Sequence, residues 1–398
     1  HARHAPGPGA PGCVDCHMPA RNYMVVDSRR DHSFRVPRPD LAVELGVPNA
    51  CATCHADRPA DWSARAVRDW LGRDAQGLQD FAHTFAAGRA GTLDAGDPLR
   101  EIVADPGQPA IVRATALELL RGYPGSATVA RAAAALEDAD PAVRLAALAV
   151  MADAPLADRL AVVKPLWTDP VRAVRIEAAR LSAGVNPQAL RATERQQLSA
   201  ALDDYVDAQQ ASLDRPGAWL NLGNLAAATG EPLSAEQHYR AALARDQRFE
   251  PAWANLADLL FRTGNDPAAN EVLAAGLRAL PDGATLFHAR GLYQVRAGER
   301  EAALRSLARA AELAPGNVRF QYVYAIGLDS AGRREEAVAI LEHAHQHWAA
   351  DQDVLSALLS MNLAAGNRDL ARTYARRLQH LRPTDGQLAG LLTQLNDD

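Results

Sequence analysis

Along most of this chain apolar residues recur at helical spacing, in paired amphipathic stretches broken at regular intervals. From 214 to 398 the breaks are periodic. Gly230, Gly264, Gly298, Gly332 and Gly366 recur at one constant interval, and Ala235, Ala269, Ala303, Ala337 and Ala371 run in step with them. Trp219 and Trp253 are one period apart. A period of this length with helical spacing inside it predicts stacked helix pairs. Each glycine closes the first helix of a pair in a left-handed turn, and each alanine lets the two helices cross closely. Pro281, Pro315 and Pro383 separate units.

A second, slightly shorter period lies between about 93 and 187. Arg113, Arg144 and Arg175 are evenly spaced, the second inside Asp140-Pro141-Ala142-Val143-Arg144. There Asp is expected to cap a helix whose first turn holds Pro, because both suit the unpaired N–H groups of a helix start. The arginines share a face and are expected to pair with carboxylates of neighbouring units, as an internal ladder and not a ligand site. These units resemble HEAT-like repeats. The longer units from 214 onward resemble tetratricopeptide repeats, whose groove, by fold-level analogy, takes an extended peptide or another protein.

Two further stretches connect these regions. Residues 188–213 predict a polar amphipathic linker helix from Arg191 to Leu213. Residues 60–92 predict two helices, one carrying Trp62, Ala66, Val67 and Trp70, the other Leu78, Phe81, Phe85 and Ala86, with a turn at Gly88–Gly91. This connector is expected to lid the preceding segment or to cap the repeats. Residues 1–59 lack periodicity, and Pro37, Pro39 and Pro48 are expected to keep them extended and irregular. The fold class is therefore mostly α: an irregular N-terminal segment (1–59), a helical connector (60–92), HEAT-like repeats (93–187), a linker helix (188–213) and five tetratricopeptide repeats (214–398) forming an α-solenoid.

Composition narrows the function. The formal charge is -6, and arginines are interleaved with acids, so nucleic acid is not an expected partner. No apolar run approaches the length of a membrane span. No phosphate-binding glycine loop, nucleophile–base pair or paired carboxylates stand out, so no residue is assigned a catalytic role. Arg290, Arg296, Arg300, Arg305 and Arg309 suit a solvated helix face, with an acidic partner as the alternative. His343 and His347 share a face with His345 between them, but no third metal ligand accompanies them. His83 reads as an ordinary helix residue.

The chemistry lies at the start. Cys13-Val14-Asp15-Cys16-His17 and Cys51-Ala52-Thr53-Cys54-His55 repeat one pattern and use all four cysteines. Cys-x-x-Cys-His is the attachment pattern of a c-type haem: two thiols form thioethers with the vinyl groups, and the histidine ligates iron from one side. Zinc is the rival, but the inner cysteines, Cys16 and Cys51, lie farther apart than the ~15–20 positions usual in zinc ribbons. Zinc also leaves both histidines unexplained. A redox dithiol would need a βαβ setting that is not visible. The expected cofactors are two covalent c-type haems, with His17 and His55 as proximal ligands.

A second axial ligand must come from elsewhere or be absent. His1, His4 and His32 are the other histidines in the stretch that ends at His55. His32, between the motifs and next to Asp31, is the leading distal ligand, with Asp31 or a carbonyl orienting its ring. His4 follows, then His1. Met18 is too close to its own motif to bend back, and Met24 suits packing against a porphyrin. The prediction is that His32→Ala turns one haem high-spin.

The run from His4 through Cys13–Pro19 and Asp31-His32 to His55 resembles the last haem pair of pentahaem cytochrome c nitrite reductases, and more broadly multihaem cytochromes with C-terminal repeats. The resemblance covers about residues 1–58 and implies distal roles for His4 and His32. The family's nitrite pocket has no match here. It therefore implies haem packing and electron transfer, with a redox protein or larger respiratory complex docked on the repeats. Haem attachment implies a periplasmic or extracellular site, the export signal lying outside this chain. Two other functions stay open. One is the C-terminal part of a multihaem oxidoreductase acting on a small nitrogen or sulfur compound, with its active haem upstream. The other is a repeat adaptor in which zinc or haem is only structural.

Overall fold

A computed structural model describes residues 4, 7–59, 61–77 and 79–397. His1 and Leu78 lie outside the described residues. The chain divides into two compact units, His1–Ala87 and Gly88–Asp398.

The second unit is a succession of helices. Its last part holds five pairs: Pro216–Ala228 with Pro232–Arg245, Glu250–Arg262 with Asp266–Ala279, Ala284–Arg296 with Arg300–Leu313, Val318–Ser330 with Arg334–His347, and Gln352–Ala364 with Arg368–Leu381. A single helix, Gly386–Asp397, follows them. Each turn inside a pair passes through its periodic glycine at φ between 77° and 82°. Side chains are disfavoured there, and glycine is not. The periodic alanines are buried at the crossings. Gly223 and Gly291 show how close the helices come: a Cβ would stand 2.5 Å from the Tyr239 ring at the first and 2.7 Å from Leu307 at the second. The architecture is an α-solenoid of tetratricopeptide type, its core running along the stack.

The arginine ladder precedes it. Arg113 pairs with Asp138, Arg144 with Asp169 at 2.9 Å and Arg175 with Asp204 at 2.8 Å. Arg144 and Arg175 also donate to carbonyls of the loop before their own helices, at Asp138 and Asp169, both at 2.7 Å. Each guanidinium thus ties its own helix start to the next unit. Asp140 caps Pro141–Met151 by accepting from the Ala142 N–H at 2.8 Å. The next repeat departs from that pattern. Its helix, Arg172–Leu181, starts beyond Pro170, and Asp169 accepts from the Val171 N–H while Arg144 contacts both its oxygens. The linker helix spans Ala192–Gln210.

The first unit is irregular only in part. A hairpin, Ala20–Tyr23 paired antiparallel with Asp27–Arg30, and a helix, Pro39–Leu45, occupy the stretch that proline content alone made extended. Pro39 begins that helix, where its missing N–H costs nothing. The connector helices are Trp62–Leu71 and Ala82–Arg89. Phe81 precedes the second one and packs its ring 4.9 Å from Phe85. Connector residues are tied to the preceding segment by Asn49–Ser63, Arg38–Asp80 and Gln79 to the Val36 carbonyl.

Candidate haem-binding segment

Both Cys-x-x-Cys-His motifs coil into one helical turn. Cys13–His17 is a short α-helix, and in the second motif Ala50–Thr53 is a 3-10 turn extended by the His55 N–H donating to the Cys51 carbonyl at 3.0 Å. Such a turn sets cysteines i and i+3 and the histidine i+4 on neighbouring positions of one face.

The first turn is clamped from the hairpin. Arg30 donates to the carbonyls of Val14 and Met18 at 3.1 and 3.2 Å and pairs with Asp15 at 2.9 Å. Asp15 accepts from the Gly12 N–H, and these bonds hold its carboxyl below the usual range. His17 Nδ1 lies 2.7 Å from the Arg35 carbonyl. A carbonyl only accepts, so Nδ1 is the donor in this contact. An Nδ1–H held by a carbonyl is the arrangement that orients a histidine to ligate iron through Nε2. Phe34 stacks on the His17 ring, centroids 4.9 Å apart and planes within 6°.

The second turn is held differently. The Asn49 side chain accepts from the Cys51 N–H at 3.0 Å and donates to buried Ser63 at 2.7 Å. The His55 ring tilts against Trp62, centroids 4.6 Å apart, and stacks with His4 at 6.1 Å, planes 25° apart. The Cys16 thiol is pushed up first by burial, then by Asp15 and the neighbouring Cys54 and Cys13 thiols. Burial does the same to Cys51, with Cys16 adding to it. The two motifs therefore adjoin.

His32 lies exposed in a turn. Asp31 does not orient it: its carboxylate accepts from the Ser33 N–H and hydroxyl and pairs with Arg35. Met24 is 77 % exposed at the hairpin tip, beside Val25 and Val26. Arg30, Arg35, Phe34 and Asn49 carry the geometry without having been singled out in the sequence. Only Asn49, two positions before a cysteine, had a local signal, that of a cap.

The other candidates fall out as follows. His83 bonds Glu44 at 2.6 Å on the surface. In the His343–His347 stretch, His345 is half-buried against Tyr374 and Arg377, and desolvation first and Arg377 second lower its pKa to about 4. Among the described residues no three of His, Cys, Asp or Glu gather as metal ligands, and no helix is long and apolar enough to cross a membrane.

The unit that holds both motifs has little core. Among its described residues Leu41 and Phe85 are the large apolar side chains that are buried, while Val14, Tyr23, Val25, Phe34, Val36 and Val47 are exposed. Exposed apolar side chains in the unit that carries two Cys-x-x-Cys-His turns suit a flat apolar cofactor. The residues present fit covalent haem.

No family model matches the chain, and no curated protein matches it. Several solved repeat structures are similar in part. MamA is 19% identical over 42% of this chain and 97% of its own, at a TM-score of 0.36. YrrB, a TPR protein with an unusual peptide-binding site, is 20% identical over 47% of this chain and 96% of its own, also at 0.36. PilW, a type IV pilus biogenesis factor, is 19% identical over 56% of this chain and 100% of its own, at 0.40. The repeat architecture of this chain rests on its own helix pairs, not on these partial superpositions.

Proposed function

We propose that residues 1–59 hold two c-type haems and pass electrons, and that the solenoid docks the haem segment to a redox protein partner. The contact of His17 Nδ1 with the Arg35 carbonyl is the observation that supports this reading. A histidine that follows Cys-x-x-Cys and gives its Nδ1 proton to a carbonyl is oriented as a proximal ligand through Nε2. Cys13 and Cys16 would hold one haem and Cys51 and Cys54 the other, with His17 and His55 below them. When bound, haem supplies the one-electron redox chemistry.

The protein's part is orientation and exclusion of water. Arg30 and Asn49 fix the two turns, and Phe34 and Trp62 fix the ring planes of the two histidines. The exposed valines and Met24 supply apolar cover. His4, whose ring stacks 6.1 Å from that of His55, is the residue that would supply the second nitrogen to the same iron. His32 then remains as the distal candidate for the other iron. Covalent haem places the protein in the periplasm or outside the cell.

The test is a pyridine haemochrome spectrum of protein matured with the cytochrome c assembly system, with haem staining of a denaturing gel. Two covalent haems per chain are expected, and loss of one from each of Cys16→Ala and Cys54→Ala. Stoichiometric zinc without haem would overturn the reading. For the axial assignment, His4→Ala and His32→Ala are each expected to add the optical signature of one high-spin haem.

A further inference from the structure

The two Cys-x-x-Cys-His turns are alike in sequence, but the chain that follows each one treats its histidine differently. After the first, the hairpin brings residues 34 and 35 back beside His17. The Arg35 N–H donates to the His17 carbonyl at 2.9 Å, and His17 Nδ1 donates to the Arg35 carbonyl at 2.7 Å. His17 is thus bonded to one residue through both its backbone and its ring. After the second turn the chain runs into the helix Trp62–Leu71. A helix commits its carbonyls to its own N–H groups. What this one offers His55 is the Trp62 ring, 4.6 Å away. Among the described residues the His55 ring makes ring contacts, with Trp62 and His4, and no hydrogen bond.

Phe34 holds the first arrangement. Its φ is 46°, in the left-handed region that a bulky side chain disfavours. It is also 59 % exposed, so burial of its ring does not account for the strain. In that conformation the ring lies flat on His17, planes within 6°, and the next carbonyl, that of Arg35, meets Nδ1. Strain kept beside a candidate iron ligand, with neighbours that hold it in place, points to a role in the site.

We infer that Phe34 is a positioning residue that makes His17 the stronger electron donor of the two proximal histidines, so that the iron on His17 is reduced at a lower potential than the iron on His55. The inference rests on the haem reading proposed above and adds an order to the pair. An Nδ1–H given to a carbonyl raises the electron density at Nε2. A richer donor stabilises the ferric ion, which carries the larger positive charge, over the ferrous ion and so lowers the potential. The His55 ring has no such acceptor among the described residues and is the weaker donor. Histidine is proposed on the far side of both irons, so ligand type does not separate the two sites.

The test is a potentiometric titration of the full chain carrying covalent haem, followed by optical absorbance, with haem content measured first by pyridine haemochrome. Two separate one-electron waves are expected. Phe34→Ala, which removes the stacked ring but keeps the strain, is expected to raise the lower midpoint and leave the higher one in place. Phe34→Tyr, which keeps a ring to stack on His17, is expected to hold the native value. With both haems retained, a shift confined to the higher wave, an equal shift of both, or no shift in either overturns the proposal. Coincident waves in the native protein overturn it too. If Phe34→Ala loses haem, the native protein decides. With its histidine nitrogens isotope-labelled, magnetic resonance of the reduced form is expected to show one proximal Nδ1–H protected from exchange and the other not. Equal protection of the two overturns the proposal. Absence of covalent haem from the unaltered chain is a distinct result: it overturns the haem reading itself, and this inference with it.

Discussion

At the residue scale, single polar side chains decide where backbone and neighbours go. Arg144 is the clearest case. Its side chain is 10 % exposed and that of Asp169 only 5 %. Between them they satisfy two loop carbonyls, one N–H and each other. Removing one partner of such a pair leaves a buried charge uncompensated. Asp169→Ala is expected to cost about 3 kcal/mol, read as a lower urea midpoint of the second unit. The pairing face of the arginines was legible from their even spacing. The partners were not, because Asp138 and Asp169 lie in loops before later helices and Asp204 lies in the linker helix. Nor was the role of the Arg35 carbonyl at His17, since every residue has a carbonyl and only the fold selects one.

At the scale of elements, spacing carried most of the information. The five glycines predicted five left-handed turns, and each has that conformation because the turn inside each pair is short and the next helix starts at once. Nothing lies within 4 Å of a Cβ built at Gly298, so Gly298→Ala tests the backbone alone. A loss of about 1 kcal/mol is expected, measured by thermal denaturation, with helix content unchanged. Proline was a poorer guide. Pro39, expected to keep the inter-motif stretch extended and irregular, instead begins a helix, since proline disrupts a helix interior but suits its first turn. The hairpin between Ala20 and Arg30 had no signal, because every strand residue is exposed and none of the apolar alternation of a half-buried strand is present.

At the scale of the molecule the two units differ in what holds them together. In the second, buried Leu, Val and Ala run continuously through the last repeats. The first HEAT-like pair also reaches those repeats: the Gln352 side chain donates to the Pro124 carbonyl, Arg382 bonds Gln352 at 2.5 Å, and His380 lies 3.2 Å from Asp94. Among its described residues the first unit has no comparable core. A segment with so little apolar burial hardly folds unaided. In protein made without haem, limited proteolysis is expected to remove the chain before about position 88 and leave the repeats intact; haem attachment is expected to protect the segment. Equal resistance of both units in the haem-free protein would show that the first one is stable without a cofactor.

By itself the sequence determined the helix pairs, their periods, their glycine turns and the two cysteine–histidine motifs, because each is written in residues close along the chain. Tertiary structure alone decided the rest. It turned His17 onto a particular carbonyl, set His4 beside His55, and joined Asp94 and Pro124 to His380 and Gln352. These features are made by side chains far apart in sequence. Their meaning depends on which surfaces packing brings together, and no local pattern encodes that.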